Sequence, residues 1–340
     1  MKILKYLLLI TYHLLLTTCL QAQDPVFSQF FSSPLNINPA LTANINSDWR
    51  VISNFRNQWM AVKSPYTTGT ISYDSKILQN KNAFIQENNY LGLGGMLMYD
   101  RALSGSAKST FASLNLSYNI KLIDGARKHR LGVGFGATYG RRSIDYSALN
   151  FAEQYTGFGF NTNLPSGETA KADMKPFVSV NAGLTYSITS DKSNFDFGLA
   201  AFHVNNPKQT FLEDNNQKLA TRSVIHANFE TFLNDRMVLN TSAIYQKQGT
   251  AKYMSAGGGI GYYLADADNA PILNAGVWYW AENGFVPYVG LVYNNFQFGL
   301  TYDITTSTLS EAARKPGSIE FSLIIRGSKE ASKSIPCPWK

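Results

Sequence analysis

The side chains best equipped for chemistry cluster at Arg56-Asn57-Gln58-Trp59, where a guanidinium, two amides and an indole occupy successive positions. Such a group could serve an active site, a carbohydrate patch or a protein contact, because Arg forks onto oxyanions and Trp and Arg favour interface centres. The rest of the reactive inventory is thin. His129, His203 and His226 stand alone, with no HxxxH, HExxH or CxxC spacing that would build a zinc site. No G-x-S-x-G nucleophile motif occurs. The runs Gly132–Gly136 and Gly257–Gly261 place glycine at every second position, inside strand-like text, whereas a phosphate loop must open a helix. Asp266-Ala267-Asp268-Asn269 lacks the Gly and the distant Glu of a calcium loop. Glu153, Glu168, Glu213 and Asp214 have no spacing that fixes two carboxylates together. The expectation is a protein without catalytic residues, cofactor or metal.

The elements that would position Arg56 and its neighbours belong to an exported chain. Lys2 and Lys5 precede an apolar run from Tyr6 to Leu16, and Leu20-Gln21-Ala22 offers a cleavage site. Residues 1–22 therefore read as a cleaved secretory signal peptide, the run being short of the roughly 20 residues a spanning helix needs. Cys19 raises a rival reading, lipidation, but Thr18 before it fits a lipoprotein box poorly. Without the leader only Cys337 remains, so no intrachain disulfide is expected. The formal net charge of +7 is spread along the chain, its densest groups being Arg127-Lys128-His129-Arg130 and Arg141-Arg142. These read as solvated turns flanking one strand, not as a nucleic-acid surface.

Period-two alternation runs from Trp49 almost to the end. Leu131, Val133, Phe135, Ala137 and Tyr139 oppose Gly132, Gly134, Gly136 and Thr138, and Phe296–Ile304 behaves alike. One greasy face and one small or polar face suit lipid outside and a polar interior, although a soluble sandwich would alternate similarly. Loop lengths separate the two. Alternation and turn signals predict about fourteen strands over residues 49–326. Even-numbered joins such as Asn294-Asn295 are tight, while odd-numbered joins such as Ile144–Asp173 and Asn205–Ala220 are long; Ile77–Asn89 breaks the rule. Short turns on one side and long loops on the other mark an outer-membrane barrel. The fold class expected is all-β: a closed antiparallel transmembrane β-barrel in a Gram-negative outer membrane. Residues 23–48, with Phe27, Phe30 and Phe31 before Pro34 and Pro39, lack alternation and read as a plug or hatch segment. Residues 327–340 read as a periplasmic tail.

Particular motifs sharpen this picture. Gln23-Asp24-Pro25-Val26-Phe27-Ser28-Gln29-Phe30, Ser33-Pro34-Leu35-Asn36-Ile37-Asn38-Pro39-Ala40, Trp49 and Phe55-Arg56-Asn57-Gln58-Trp59 follow one another in order. Ser72-Tyr73-Asp74, Leu149-Asn150-Phe151-Ala152-Glu153-Gln154, Gly299-Leu300-Thr301-Tyr302-Asp303 and Cys337-Pro338-Trp339-Lys340 complete the set. In these the chain resembles the PorP/SprF family of type IX secretion system membrane proteins, over its whole mature length. The terminal Trp departs from the aromatic commoner there. The resemblance implies a barrel serving type IX secretion or gliding motility. It also implies partners: other secretion components, outer-membrane lipid, and a secreted adhesin-like cargo with a carboxy-terminal sorting domain, held at the surface. Asn38-Pro39-Ala40 is similar to the amino-terminal hatch of long-chain fatty acid transporter barrels, so a channel for hydrophobic or small polar solutes is the alternative.

Arg56 is expected to face the lumen or the outer rim, forking onto a carboxylate such as Asp74 or Asp303, since a charge facing lipid costs roughly 2–4 kcal/mol at the midplane. Candidate partner contacts are Arg56, Gln58, Trp59, Phe151, Gln154, Tyr155 and Phe158. Candidate hatch residues are Phe27, Phe30, Asn38 and Pro39.

Overall fold

The computed structural model describes residues 24–60, 65–79, 89–167, 173–209, 217–265, 270–281, 283–306 and 317–327. The expected leader, and the expected tail apart from Gly327, lie outside these residues. Fourteen strands are present among these residues: β1 Trp49–Gln58, β2 Tyr66–Gln79, β3 Tyr90–Ala102, β4 Ala107–Asp124, β5 Lys128–Ile144, β6 Phe177–Thr189 and β7 Ser193–Phe202. The second half comprises β8 Arg222–Asn234, β9 Met237–Gln248, β10 Ala251–Tyr263, β11 Ile272–Trp280, β12 Gly284–Tyr293, β13 Phe296–Thr305 and β14 Ser318–Gly327. Each pairs antiparallel with its sequence neighbours, and β1 pairs with β14 from Trp49↔Gly327 to Gln58↔Ser318, which closes the barrel. Closure removes every free strand edge, the condition for β-structure in lipid.

The alternation read from sequence is realised as inside and outside. Along β12, Phe285, Val289, Leu291 and Tyr293 are exposed while Val286 and Tyr288 are buried. Along β4, Leu114 and Leu116 face out and Ser113, Asn115, Ser117 and Asn119 face in. The outward belt is aliphatic and aromatic, and the inward wall carries small, polar and charged groups.

The strands differ from expectation at their ends. β4 and β5 run on to Asp124 and Ile144, forming a tall hairpin, and β2 continues past a bulge between Lys76 and Leu78. β6 starts at Phe177, after the predicted 174. The short join at Gly249-Thr250 falls on the side that carries the long loops, so join length tracks parity only in part.

Residues 24–48 lie inside this ring. Two 3-10 turns, Phe30–Ser32 and Pro39–Leu41, flank a one-turn helix at Pro34–Ile37. Pro34 and Pro39 each sit at a helix start, where a missing N–H is tolerated. Residues 27–45 are buried throughout. Asp24 meets His203 and Arg222 at the long-loop end, and Asp48 donates its N–H to Gly327 O at the short-turn end. The segment thus traverses the interior from one mouth to the other.

Candidate functional site

The interior segment is held by three groups of wall residues. At the β13–β14–β1 seam, Arg56 from β1 pairs with Asp303 of β13 at 2.9 Å and Glu320 of β14 at 3.5 Å, and donates to Val26 O at 2.8 Å. Its guanidinium lies 5.3 Å from the Trp280 ring centroid. Glu320 in turn accepts the backbone N–H groups of Ser28 (2.8 Å) and Gln29 (2.9 Å), while Ser28 Oγ donates to Asp303. A buried charge persists only where partners surround it, and here each carboxylate has both a cation and hydrogen-bond donors. Of the two partners expected for Arg56, Asp303 is taken. Asp74 instead chelates Arg50 through two bonds of 2.8 and 3.1 Å and accepts the N–H of Ala43. Ala43 has φ 54°, and the Asp74 bond helps hold this left-handed backbone.

The second group is a seat of inward-facing glycines. A Cβ on Gly134 would lie 2.2 Å from Ala40 N, one on Gly183 would lie 1.9 Å from Asn38 Oδ1, and one on Gly92 would lie 2.7 Å from Ala43 Cβ. Neighbouring strands therefore leave out side chains where residues 38–43 rest. Asn38 fills this seat: its Nδ2 donates to Leu184 O and Leu199 O on β6 and β7, and its Oδ1 caps Ala40 N. Pro39 follows directly, opening the 3-10 turn.

The third group is aromatic. Phe31 meets Trp278 at a tilt and Tyr288 edge-on, at 4.8 and 5.3 Å between centroids, with Phe30 beside it. Phe27 joins Leu35, Met96, Met98 and Phe111 in a second apolar cluster. Around residues 24–36 the cavities between segment and wall measure about 40 and about 10 Å3, and a wider one of about 410 Å3 opens at the short-turn mouth beside Asn44, Ile45 and Asn46. At the long-loop end burial disfavours the Asp24 carboxylate, yet Arg222 and the hydrogen-bonded His203 outweigh it and hold the group below the usual carboxylate range.

The other candidate contacts divide. In the long loop Gln154 is buried and works internally, accepting the N–H of Phe151 and donating to Leu164 O. Phe151 packs on Tyr146 at 5.9 Å. Beyond them Tyr155 and Phe160 form a β-bridge and ring contact of 5.2 Å, so Gly157-Phe158-Gly159 turns back on itself and leaves Phe158 fully exposed. Trp59, at φ 62° and 38% exposed, and half-buried Gln58 end β1 at the same mouth. Arg56 and Gln154, both among the candidate partner contacts, are buried and support structure from within, Arg56 facing the lumen. The glycine seat, the Arg50–Asp74 pair and Glu320 were not singled out in the sequence. For the seat alone there was a signal, the glycine period shared by β3 and β5, whose cause is the chain that rests on it.

A family model described as type IX secretion system membrane protein PorP/SprF matches residues 20–325. The chain belongs to this family. The PorP/SprF barrel is also similar in fold to solved structures. They include a TodX deltaS2S3 mutant monoaromatic hydrocarbon channel (10% identity, 88% of this chain and 94% of that chain, TM-score 0.49). A Pseudomonas aeruginosa FadL homologue gives 14% identity, 84% and 91% coverage and a TM-score of 0.45. The Ralstonia pickettii toluene transporter TbuX gives 9%, 87% and 94%, and 0.44. No curated protein matches the sequence significantly.

Proposed function

We propose that this PorP/SprF protein is an outer-membrane barrel whose residues 24–47 act as a fixed plug and whose long-loop face holds a secreted cargo protein outside the cell. The observation that carries the reading is the occupied interior. A transport channel needs a path through the lumen, whereas this lumen is filled by chain anchored to Glu320, Asp303, Asp74 and the glycine seat. Work is then left to the rims. The apolar outer belt fits lipid, and the long loops fit the outer surface. There the hairpin tip at Phe158, with Tyr155 and Phe160 behind it, offers the aromatic anchor that protein interfaces favour.

The cargo expected is an adhesin-like protein with a carboxy-terminal sorting domain, retained with other type IX components. The test is a mild-detergent pull-down of the tagged protein with its co-purifying partners identified, alongside liposome swelling. Cargo capture without solute flux supports the reading. Solute flux that rises when residues 24–40 are deleted, with no captured cargo, would move the function to a hatched channel.

A further inference from the structure

At the long-loop end of the wall, β6 outlasts one of its two partners. The strand runs Phe177–Thr189, yet its pairing with β7 stops at Ala182↔Ala201. On its other side the same strand stays paired with β5 as far as Phe177↔Gly140. Among the described residues a turn, not a strand, covers the remaining stretch of β6. β7 ends at Phe202 because His203 takes φ 58°, which sends its ring inward to Ser179 Oγ at 2.7 Å and Asp24 at 2.6 Å.

The cover is made largely by one side-chain amide. Asn205 accepts the N–H of Val180 at 3.1 Å and donates its Nδ2 to Val178 O at 2.8 Å. Val204 adds its own N–H, donated to Val180 O at 3.0 Å. A single carboxamide thus supplies the acceptor and donor that a neighbouring strand would supply through its peptide groups. The turn is strained, since His203 and Asn206 (φ 42°) both hold left-handed backbone without being glycine. Val178, Val180 and Val204 are exposed outside it. Strand edges of this kind are templates for pairing with another chain.

We propose that the Val178–Val180 edge of β6 receives an extended segment of the secreted cargo, which joins the wall as a strand when the Val204-Asn205 turn gives way. As a second contact for the same cargo, the edge rests on the function proposed above. It is continuous with the loop that carries Phe158. That loop returns along β5, where Met174 donates its N–H to Arg142 O and Asp173 bridges Ser143, and then enters β6. Main-chain bonds at alternate residues select extended polypeptide. A lipid chain has no donor or acceptor with which to replace Asn205. A second copy in the same membrane would cross β6 at twice the strand tilt, roughly 70–90°, and could not pair with it. Behind the edge stand Ser179, Asn181, His203 and Arg222, all buried and polar, which is no route for an apolar solute.

Benzoylphenylalanine replaces Val178 or Val180 in the full chain, in its native host, and the adduct formed under light is sequenced. The expected adduct is the protein captured in the mild-detergent pull-down, joined at one contiguous segment. The two positions should mark residues about two apart, the period of a strand. Val180→Pro deletes the edge donor and spares the β5 ladder, because Val180 directs its N–H to Asn205. Cargo retention should fall about tenfold, the effect of one lost main-chain bond with its partner left unpaired. Val180→Ile keeps the N–H and should retain cargo fully. Heat-modifiable migration checks that each barrel closes, and the light-driven adduct needs no proline variant. Undiminished retention in a closed Val180→Pro barrel overturns the proposal. Adducts with lipid alone from 178 and 180, while a probe replacing Phe158 joins cargo, overturn this edge and leave the proposed function standing. A pull-down in which the unaltered chain captures no cargo overturns both.

Discussion

Phe30 and Phe31 in the interior segment are each 2% exposed, while Phe158 in the long loop stands fully in solvent. Both stretches are aromatic, polar and without alternation, and both are fixed by hydrogen bonds. They differ in where those bonds go. The interior segment places its amides and hydroxyls on wall residues far away in sequence, as Ser28 does with Glu320 and Asp303. The long loop places them on itself, as Gln154 does with Phe151 and Leu164. A segment bonded to the wall becomes core, and a loop bonded to itself can hold a rigid apolar tip away from the body. That contrast separates a structural aromatic cluster from one available to a partner.

The contrast breaks first at Arg56. Arg56→Leu strands Asp303 and Glu320 inside, and losing one side of a buried ion pair costs about 3–5 kcal/mol. Denaturant unfolding in detergent should show this loss, with partial recovery when Glu320→Gln is added. Next comes the glycine seat. Gly134→Val drives a side chain into the Ala40 backbone, and overpacking of this kind costs up to about 3 kcal/mol. Limited proteolysis should then cut residues 24–47 in a barrel that still shows heat-modifiable migration; an uncut segment would mean that the seat is not what holds it.

At the outer tip, Tyr155→Ala with Phe158→Ala should weaken cargo retention by about 2 kcal/mol or more, on the order of thirtyfold in Kd. The unfolding midpoint should not move, because among the described residues Tyr155 contacts its own loop through Phe160 and Gly157 and Phe158 is fully exposed. A shifted midpoint with normal retention would reverse the comparison. The smallest effect is expected at Asp173→Asn, which removes the exposed pair with Arg141 at the loop base. Surface pairs contribute at most about 1 kcal/mol, and a salt titration of stability should barely register the change.

Much of the barrel was legible because two solvents write the strands. Lipid demands Leu114 and Leu116 outside, and a tight interior demands Ser113 and Asn115 inside, so period two survives over nearly every strand. Strand ends were less legible, since β4 and β5 extend beyond the belt, where Lys121 and Arg141 no longer report which face they occupy. The inward position of Arg56 followed from the cost of charge in lipid, and its partner Asp303 was one of two carboxylates that fitted. Glu320 gave no comparable signal, because strand closure alone brings it beside Arg56. The glycines at 132 and 134 were read correctly as lining the lumen. What they make room for is a contact with Pro39 and Ala40, and alternation within a single strand carries no information about that.

The seam carries a further consequence, for the order of events in assembly. Ser28 and Glu320 are 292 positions apart, and Arg56 needs strands from both ends of the chain. Contacts of such long sequence separation form late, because ordering of the intervening chain precedes any reward from them. A nascent or truncated chain lacking β14 would thus hold a guanidinium, an amide and two backbone donors with no Glu320 to receive them. The closing strand therefore completes the seat of the interior segment: without β14, Arg56 keeps Asp303, but the buried N–H groups of Ser28 and Gln29 lose the carboxylate that accepts them.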